Sequence, residues 1–577
     1  MFGGRAQDPP RALATGLLVY RAPVDEDPSF DVASTGTRPG SGYPPMSPAA
    51  CVRGREALFL AALVAGLIAW GALYILRTSL LLPDGERVFT LWDDAMISMQ
   101  YARNLQRGHG LVWNAGEPPV QGFTNLGVTL LMAAAHALPL ASDRVALSIQ
   151  ALALGLLAGT ALGVWALARR LAPESPAVAT GAALGTALCA PVAIWTLQGS
   201  DVGFVALWLA FAAWLAARPR PAVVALPGML ALGPWIRPDV AIYAPALLLA
   251  AGLCDARGRR LAVQGAAMLA ASLAALALFG WLYYGDPLPN TWYLKATGSP
   301  RRLVLLAGLG ELLSWLPNLA APTLLAAVAV VGRRRQRAVW GLAALVATSQ
   351  VYNLWVGGDF VFGYGSRFAV PTLPLLILLA TLGVDRLAAR VAPAAPRGRA
   401  VAVVLSGALL SVGASPFVST REWLDPGQPT LLHRENTDNL RFARYLREHS
   451  DPDTTLGAHW AGIPPYFSER PAIDVLGKSD RHIAKLSVPR FVPGHSKWDW
   501  DYILNERRPD LLRAPSRDLG KRPDFRRSYL KLETGEQGLS LFVRRSALAK
   551  LHDPRALLID LVSGQRYRLP DRPPEPP

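Results

Sequence analysis

Long apolar runs separated by short polar loops occupy residues 57–417 and set the organisation of the chain. The first run, residues 57–82, exceeds the roughly 20 residues that a helix needs to cross the hydrocarbon core of a bilayer. Further apolar runs lie near 122–140, 145–168, 176–197, 202–217, 222–236, 239–253, 262–282, 303–332, 338–356, 368–389 and 400–417. We interpret about eleven of these runs as transmembrane helices. The pattern therefore predicts a polytopic α-helical membrane protein.

Arginine-rich loops between the runs predict how the helices are oriented. The basic clusters are Arg53 and Arg55, Arg169 and Arg170, Arg218 and Arg220, residues 257–260, 333–337 and 386–399. Because cytoplasmic loops are enriched in Lys and Arg, we place these clusters inside. The external face then collects the segment around Asp93, residues 198–201, 237–239, 283–302 and 357–367, and everything after Pro416.

This orientation contains one conflict. Two apolar runs separate Asp93 from Arg169, although an odd number is required to bring Arg169 inside. Either the run 122–140 does not fully cross the membrane, or Arg169 and Arg170 lie outside. Both alternatives stay open at the level of sequence.

The two ends of the chain differ in composition from the apolar middle. Residues 1–52 are rich in Pro, Gly, Ser and charge, which predicts a disordered cytoplasmic tail. The membrane domain, residues 53–417, is predicted to carry its first external loop at 83–123. Residues 418–577 are polar with mixed helix and strand signals, such as a helix-like stretch at 439–448. They predict an extracytoplasmic α/β domain.

The composition favours a membrane protein over a nucleic-acid-binding one. Hydrophobic residues make up 51% of the chain and charged residues only 17%, and the 17 Trp residues suit membrane interfaces. The net charge of +16 comes largely from Arg in short loops, and no basic patch carries a recognisable binding motif. We therefore expect membrane lipids and no nucleic acid as partners. The three cysteines, Cys51, Cys189 and Cys254, give neither a disulfide framework nor a zinc site.

The chemically most distinctive stretch is residues 90–125, which contains the adjacent carboxylates Asp93 and Asp94. One Asp at the start of a helix commonly caps it, and this alternative stays open for either residue alone. A cap needs only one side chain, however, and close carboxylates raise one pKa, which suits a general base. The run after them, MISMQYARNL, is amphipathic and predicts a helix lying in the membrane interface.

Two other external segments carry cations that suit a phosphate. Prolines make residues 286–295 a rigid loop ending in Lys295, which could hold a phosphate or simply extend toward the membrane surface. Arg367 follows the glycine-rich motif that begins at Gly357. It could bind a phosphate through two hydrogen bonds or be an ordinary surface arginine.

The C-terminal third contains polar and aromatic segments that suit sugar or phosphate contacts, GAHWAG at 457–462 and DVLGKSDRH at 474–482. The GKS within the second is not a nucleotide-binding P-loop, because no glycine stands five residues before Gly477. A third segment holds aromatic rings that could stack on a sugar but more often form core, namely Trp498, Trp500 and Tyr502.

Taken together, these segments resemble a known family. The run WDDAMISMQYARNLQRGHGLVWNAGEPPVQGFTN is similar to the first external loop of bacterial GT-C-fold glycosyltransferases that use polyprenyl-phosphate sugars, and in particular of the mycobacterial-type terminal β-(1→2) arabinofuranosyltransferases. PLPNTWYLK, GGDFVFGYGSRF, IDVLGKSDRHIA and GHSKWDWDYIL also match, so the resemblance covers most of residues 57–515. The chain departs from the family at Gln100, where Arg or another residue is common, and at Gln121, where the family often has Glu. The second change bears on the sugar or acceptor and not on the class.

The resemblance implies a reaction and a set of site residues. A sugar would pass from a polyprenyl-phosphate donor to a cell-envelope glycan or lipid at the outer face of the cytoplasmic membrane. The family suggests arabinofuranose as this sugar. Asp93 and Asp94 would be catalytic, one of them deprotonating the acceptor hydroxyl. The candidate donor-phosphate ligands are Arg367, Lys295 and His459. The candidate substrate-binding residues are Tyr101, Asn125, Asp359, Asp474 and His482.

Three questions stay open. No metal ligand is predicted and no cofactor is required, although two carboxylates could hold a divalent cation. A transporter or flippase for a lipid-linked sugar is one rival, but it would tend to show internal repeats and charges within spans, and neither is clear. A non-catalytic scaffold in envelope assembly or motility is another rival. Loss of Asp93 or Asp94 would have favoured it, but both residues are present.

Overall fold

The computed structural model describes residues 48–82, 85–218, 224–252, 256–359, 365–413, 430–513, 517–535 and 538–569. Most of the predicted N-terminal tail, Cys254 and residues 360–364 of the glycine-rich motif lie outside these described residues. Residues 57–577 form one compact unit.

Fifteen α-helices follow the apolar runs in the described part of the chain. They are α1 (Pro48–Thr78), α2 (Asp93–Gln106), α3 (Leu126–His136), α4 (Val145–Leu171), α5 (Pro176–Ala187), α6 (Ala190–Leu197), α7 (Val202–Ala216), α8 (Ala225–Ile236), α9 (Ala244–Ala251), α10 (Ala256–Phe279), α11 (Asn290–Ala296), α12 (Arg301–Gly332), α13 (Arg337–Val356), α14 (Leu373–Val391) and α15 (Pro396–Gly413). Short 3-10 or π turns lie at Pro238–Tyr243, Gly280–Tyr284 and Val370–Thr372.

Six of these helices are long and apolar enough to cross a membrane, namely α1, α4, α10, α12, α13 and α14. The helices α5 and α6 meet at a bend of 49° and could together form a seventh span, and four further apolar helices are shorter. The predicted polytopic helical architecture is confirmed. The predicted number of about eleven spans stays a prediction.

The length of α3 bears on the conflict in the predicted orientation. It has 11 residues, which at 1.5 Å per residue gives about 16 Å, roughly half of a bilayer core. The helix ends at His136, shortly before Pro139, and a residue that precedes a proline is disfavoured in a helix. The helix is thus too short to span by itself, which favours the first alternative, that the run 122–140 does not fully cross.

The sequence predicted that α2 lies on the membrane surface, but the helix is enclosed by protein. Most of its 14 residues are buried, including the polar Gln100, Arg103 and Asn104. It packs against α3 on one side and against the C-terminal domain on the other. Its amphipathic pattern therefore serves a contact between two parts of the protein. A helix at a membrane surface can have the same pattern, so the sequence alone does not distinguish the two environments.

The C-terminal domain is a mixed sheet with small helices, as predicted. Its main helices are α16 (Leu431–His449), α17 (Ile463–Ser468), α18 (Arg481–Ala484), α19 (Trp500–Tyr502), α20 (Arg517–Lys521) and α21 (Pro523–Ser528). Strands β1 (Leu80–Leu81) and β2 (Arg87–Val88) form a separate antiparallel pair before α2. The domain's strands are β3 (Leu456–Ala458), β4 (Ala472–Asp474), β5 (Leu511–Leu512), β6 (Tyr529–Glu533), β7 (Ser540–Arg544), β8 (Leu557–Asp560) and β9 (Arg566–Arg568). Their order is β4-β3-β5-β7-β6-β8-β9, parallel across β4, β3 and β5 and antiparallel elsewhere.

The segment predicted as the first external loop, residues 83–123, contributes to the core of this domain. Ile97, Tyr101 and Trp113 share one buried apolar cluster with residues of α16 and of the sheet. Asn114 exchanges two hydrogen bonds with the backbone of Ala472 at the start of β4, at 2.7 and 3.1 Å. Because burial of apolar surface is the main stabilising term, the loop and the domain are expected to fold as one packed unit.

Candidate functional site

A cavity of about 570 Å³ lies between the membrane helices and the C-terminal domain. It is lined by the start of α2, by α11, by the end of α13 and by two segments of the C-terminal domain. Most of the lining is apolar, yet it also contains five basic and four acidic side chains. These are Arg237, Lys295, Arg301, Arg367 and Lys478, and Asp94, Asp201, Asp239 and Asp359. Such a mixture of apolar wall and converging charge is typical of a ligand site.

Asp94 is the centre of the charged group. Its Oδ2 accepts a hydrogen bond from Arg367 Nη1 at 2.7 Å, and its Oδ1 pairs with Lys478 Nζ. Burial would raise the pKa of Asp94, but Lys478, Arg367 and Lys295 outweigh this effect and hold the pKa well below its usual value. Asp94 is therefore ionised, with each oxygen engaged by a cation.

Arg367 is fixed in orientation by a second carboxylate. Asp359 accepts from Arg367 Nε at 2.7 Å and from Nη2 at 3.0 Å, which leaves Nη1 to face Asp94. The backbone N–H of Asp359 in turn donates to Glu311 Oε2 at 2.7 Å. Burial alone would lower the pKa of Arg367, but Asp359 and Asp94 raise it well above its usual value. The guanidinium is a permanent, oriented cation.

Lys478 reaches the cavity from a tightly bonded loop after β4. Asp474 accepts hydrogen bonds from the backbone N–H groups of Leu476, Gly477 and Ser479, at 3.0, 3.0 and 2.6 Å. Gly477 has a φ of +84°, a conformation in which a side chain would be strained. The carboxylate thus shapes the turn that presents Lys478.

The neighbouring segments hold this loop against the cavity. Asn290 Nδ2, at the start of α11, lies within 2.9 to 3.1 Å of the carbonyl oxygens of Gly477, Lys478 and Asp480. A Cβ on Gly122 would come within 2.3 Å of Ser479 Oγ, so only glycine permits this approach. The PLPN motif and the segment that contains Gly122 therefore both position Lys478.

Lys295 lies five residues beyond Asn290 on the same helix and also lines the cavity. The described residues form no hydrogen bond or ion pair with its ammonium group. Burial and the nearby Arg367 lower the pKa of Lys295 to about 8, although Asp94 and Asp359 favour its charged form. Lys295 is therefore charged at neutral pH, and none of the described residues forms an ion pair with it.

Asp93 does not share the surroundings of Asp94 and does not line the cavity. Its carboxylate accepts from the backbone N–H groups of Gly462, at 3.2 and 3.3 Å, and Ile463, at 2.8 Å. These groups are at the start of α17, so Asp93 caps a helix of the other domain and not its own. Burial raises the pKa of Asp93 to about 6, against the opposing effect of Lys478 and the two N–H groups.

A second polar group lines the cavity beside the first. Arg237 bridges two carboxylates, with Nη1 3.1 Å from Asp201 Oδ1 and Nε 2.6 Å from Asp239 Oδ1. The negative charge of Asp201 also raises the pKa of Arg367, so the polar group around Arg237 lies close to the charged group around Asp94. The sequence assigned these three residues to the external face without giving them a role.

Aromatic rings form a row along one wall of the cavity. Phe368 and Tyr352 lie 5.4 Å apart, Tyr352 and Trp355 6.1 Å, and Trp355 and Trp292 6.3 Å, measured between ring centroids. Arg301 lies over Trp355 at 4.5 Å. Trp292 and Trp355 are each 41% exposed, so the row continues from the charged group to the outer surface of the protein.

Five of the ten predicted site residues line this cavity or its charged group, namely Asp94, Lys295, Arg367, Asp359 and Asn125. The other five do not line it. Tyr101 donates to Val120 O, Asp93 and Asp474 bind backbone N–H groups, His482 pairs with Asp499, and His459 is exposed beside His495.

The sequence placed Lys478 in a segment that suits sugar or phosphate contacts, but did not single it out as a site residue. The three aromatic residues that the sequence singled out in the C-terminal domain also lie away from the cavity. Trp498 lies under Arg490, Trp500 joins a small apolar cluster, and Tyr502 stacks on His482.

The carboxylates do not converge on a metal position. In the part of the chain that the structure describes, no three His, Cys, Asp or Glu side chains are grouped so that they could hold an ion. Asp94 directs both oxygens to cations, and Asp93 binds backbone N–H groups. The cations that face Asp94 therefore suit an anionic ligand.

Comparison with known proteins supports the fold. Residues 430–547 match a family model described as "Domain of unknown function (DUF8728)". No curated protein matches the sequence significantly. Among solved structures, apo ArnT from Cupriavidus metallidurans is similar with a TM-score of 0.53 and 13% identity, over 85% of this chain and 98% of that one.

Two further structures are similar at lower scores. ArnT from Cupriavidus metallidurans bound to undecaprenyl phosphate has a TM-score of 0.45 and 12% identity, over 73% of this chain and 85% of that one. The Archaeoglobus fulgidus oligosaccharyltransferase complex with Zn and sulfate has a TM-score of 0.46 and 11% identity, over 85% of this chain and 74% of that one.

The fold is that of a polytopic helical membrane protein with a C-terminal α/β domain, and it is similar to the GT-C fold of apo ArnT. This confirms the fold class that the sequence resemblance implied. Nothing in the comparisons identifies the arabinofuranosyltransferase group within that class, which therefore remains a prediction.

Proposed function

We propose that this chain is a membrane glycosyltransferase that transfers a sugar from a polyprenyl-phosphate donor to a glycan or lipid of the cell envelope. The observation that carries the proposal is the meeting of one carboxylate, Asp94, with Arg367, Lys478 and Lys295 in a single cavity. A proton acceptor beside a group of cations is what transfer from a lipid phosphate requires. The motifs that resemble the GT-C glycosyltransferases all contribute to this cavity.

In the proposed reaction, Asp94 accepts the proton of the acceptor hydroxyl as its oxygen attacks the anomeric carbon of the donor sugar. The bond between that carbon and the phosphate oxygen breaks, and polyprenyl phosphate leaves with both bonding electrons. Arg367, Lys478 and Lys295 stabilise the charge that develops on the leaving phosphate. Because Asp359 orients Arg367 in advance, this stabilisation needs little rearrangement.

The aromatic row suits the lipid part of the donor. It leads from the charged group toward the exposed rings of Trp292 and Trp355. Trp355 belongs to α13, which is long and apolar enough to span the membrane. The first isoprene units would pack along these rings, and the remaining chain would enter the bilayer.

The sugar is proposed from the resemblance to be a pentofuranose, with arabinofuranose as the first candidate. Asp201, Arg237 and Asp239 supply acceptors and a donor for its hydroxyl groups beside the phosphate position. The proposal places the cavity and the C-terminal domain on the outer face of the cytoplasmic membrane.

The test is sugar transfer by purified protein in nanodiscs with a panel of polyprenyl-phosphate sugars. We expect turnover with one donor, and loss of that turnover in Asp94→Asn and Lys478→Met. Lys531→Met is the matched control, because Lys531 lies on β6 and does not line the cavity. Binding of a lipid-linked sugar without turnover of any donor would contradict the proposal and favour a transporter or scaffold.

A further inference from the structure

The proposed phosphate site already holds an anion that belongs to the protein. Asp94 pairs with Lys478 through Oδ1 and with Arg367 through Oδ2, so one carboxylate bridges both cations. The same cations are the ones that a donor phosphate would need. Asp94 thus occupies, as an anion of the protein itself, the position that the donor phosphate would need.

This arrangement is unsuited to catalysis as it stands. A carboxylate whose oxygens both receive hydrogen bonds from cations is a weak proton acceptor, because protonation would cost both ion pairs. Cations that neutralise a carboxylate are also less able to stabilise a second anion. The base and the leaving-group site can act together only after Asp94 releases its partners.

We propose, building on the proposed function, that the donor phosphate and the Asp94 carboxylate are alternative partners of Lys478 and Arg367. The donor phosphodiester takes the place of the carboxylate at both cations, and the released Asp94 then accepts the proton of the acceptor hydroxyl. One negative charge replaces another at the two cations, so the exchange leaves their pairing balanced.

The surroundings of the two cations suit such an exchange, because each is held by groups other than Asp94. Arg367 keeps its two hydrogen bonds to Asp359 when Nη1 changes partner. The loop that carries Lys478 keeps its bonds to Asp474 and Asn290. The cations therefore remain in place while the anion between them changes.

Lys295 supplies a first contact for the incoming phosphate. It lines the same cavity, and no ion pair with it is formed by the residues that the structure describes. An anion can bind there before it competes with Asp94. The exchange also sets the order of the reaction, because Asp94 becomes a base only after the donor has bound.

The test is binding of a polyprenyl methyl phosphodiester, which carries the single charge of the donor but has no sugar to transfer. Its Kd is measured by calorimetry in nanodiscs for wild type, Asp94→Asn and Asp201→Asn. Asp201→Asn is the matched control, because it removes the same charge from the same cavity without touching Lys478 or Arg367. The probe also offers Asp201 no sugar to bind.

We expect Asp94→Asn to bind the probe about tenfold more tightly than wild type, because the internal competitor is gone, and Asp201→Asn to change the affinity much less. Equal effects of the two variants, or weaker binding by Asp94→Asn, would overturn the exchange while leaving the proposed function standing. Binding by none of the proteins would overturn both.

Wild-type protein provides a second measurement that needs no variant. The phosphodiester does not titrate at mildly acidic pH, so proton uptake on binding reports a protein group whose pKa has risen. Calorimetry in buffers of different ionisation enthalpy should show uptake by wild type and less uptake by Asp94→Asn. Absence of uptake in wild type would contradict the release of Asp94.

Discussion

Asp93 and Asp94 are adjacent in the chain, but α2 directs their carboxylates to different partners. Asp94 faces the cations of the cavity, whereas Asp93 holds the start of α17. We expect Asp94→Asn to lower kcat by about 100-fold or more, the usual contribution of a general base. Asp93→Asn should retain most activity, because an amide oxygen still accepts the two backbone N–H groups. Single-turnover rates of the two variants measure the difference, and equal losses would contradict these separate roles.

The raised pKa of Asp93 also predicts how stability depends on pH. The pKa is about 6 in the folded protein and about 4 in the unfolded chain, so the folded state binds the proton more tightly. The stability linked to Asp93 is therefore present below about pH 4 and is lost as the pH rises to about 6. Relative to Asp93→Asn, wild type should lose on the order of 2–3 kcal/mol across this range. Thermal unfolding of both proteins from pH 4 to 7 checks this, and parallel curves would contradict it.

Lys295 predicts the alkaline limit of activity. Its lowered pKa, about 8, means that it loses its charge as the pH rises through that value. Binding of an anionic donor should weaken there, so kcat/KM should fall above about pH 8. Lys295→Arg keeps the charge and should shift this fall to higher pH, even if the maximum rate is lower. An unchanged pH profile in Lys295→Arg would show that another group sets the limit.

At the scale of elements, the loop after β4 and the start of α11 act as one unit that positions Lys478. Asp474 never touches the cavity, yet it accepts three backbone N–H groups of the loop. We expect Asp474→Ala to lower kcat/KM by about tenfold or more through misplacement of Lys478. In a Lys478→Ala background the same change should cost almost nothing further. Additive losses in this double-mutant cycle would contradict a positioning role.

The elements also show where sequence patterns were sufficient and where they were not. Apolar runs located the membrane helices, because a span of hydrocarbon imposes a length and composition that can be read locally. The length of α3 and the burial of α2 depended instead on a proline turn and on a domain more than 300 residues away. Lys478 was missed for the same reason, since its role arises from Asn290 and Gly122, which are distant in sequence.

At the scale of the whole molecule, the candidate site is assembled from segments spread over most of the chain. Asp94, Lys295, Arg367 and Lys478 stand far apart in sequence but line one cavity. A resemblance could suggest three of these four residues because their motifs are distinctive. It could not suggest which carboxylate of the pair faces the cavity, because that depends on the direction of each side chain along α2.

The orientation of the molecule in the membrane is testable by cysteine labelling. The three native cysteines would be replaced, and single cysteines introduced as Ser563→Cys in the C-terminal domain or Arg397→Cys at the start of α15, both exposed positions. A membrane-impermeant maleimide on intact spheroplasts should label the first and reach the second only after permeabilisation. The reverse pattern would place the cavity on the cytoplasmic side and contradict the proposed acceptor.

The central claim is that the cations around Asp94 hold the phosphate of a lipid-linked sugar. Its most direct test is an experimental structure of the protein in nanodiscs with a polyprenyl-phosphate sugar or its phosphodiester analogue bound. We expect the phosphate within hydrogen-bonding distance of Arg367, Lys478 and Lys295, with the lipid along Trp292 and Trp355. A phosphate bound elsewhere, with these three side chains still facing only protein, would contradict it.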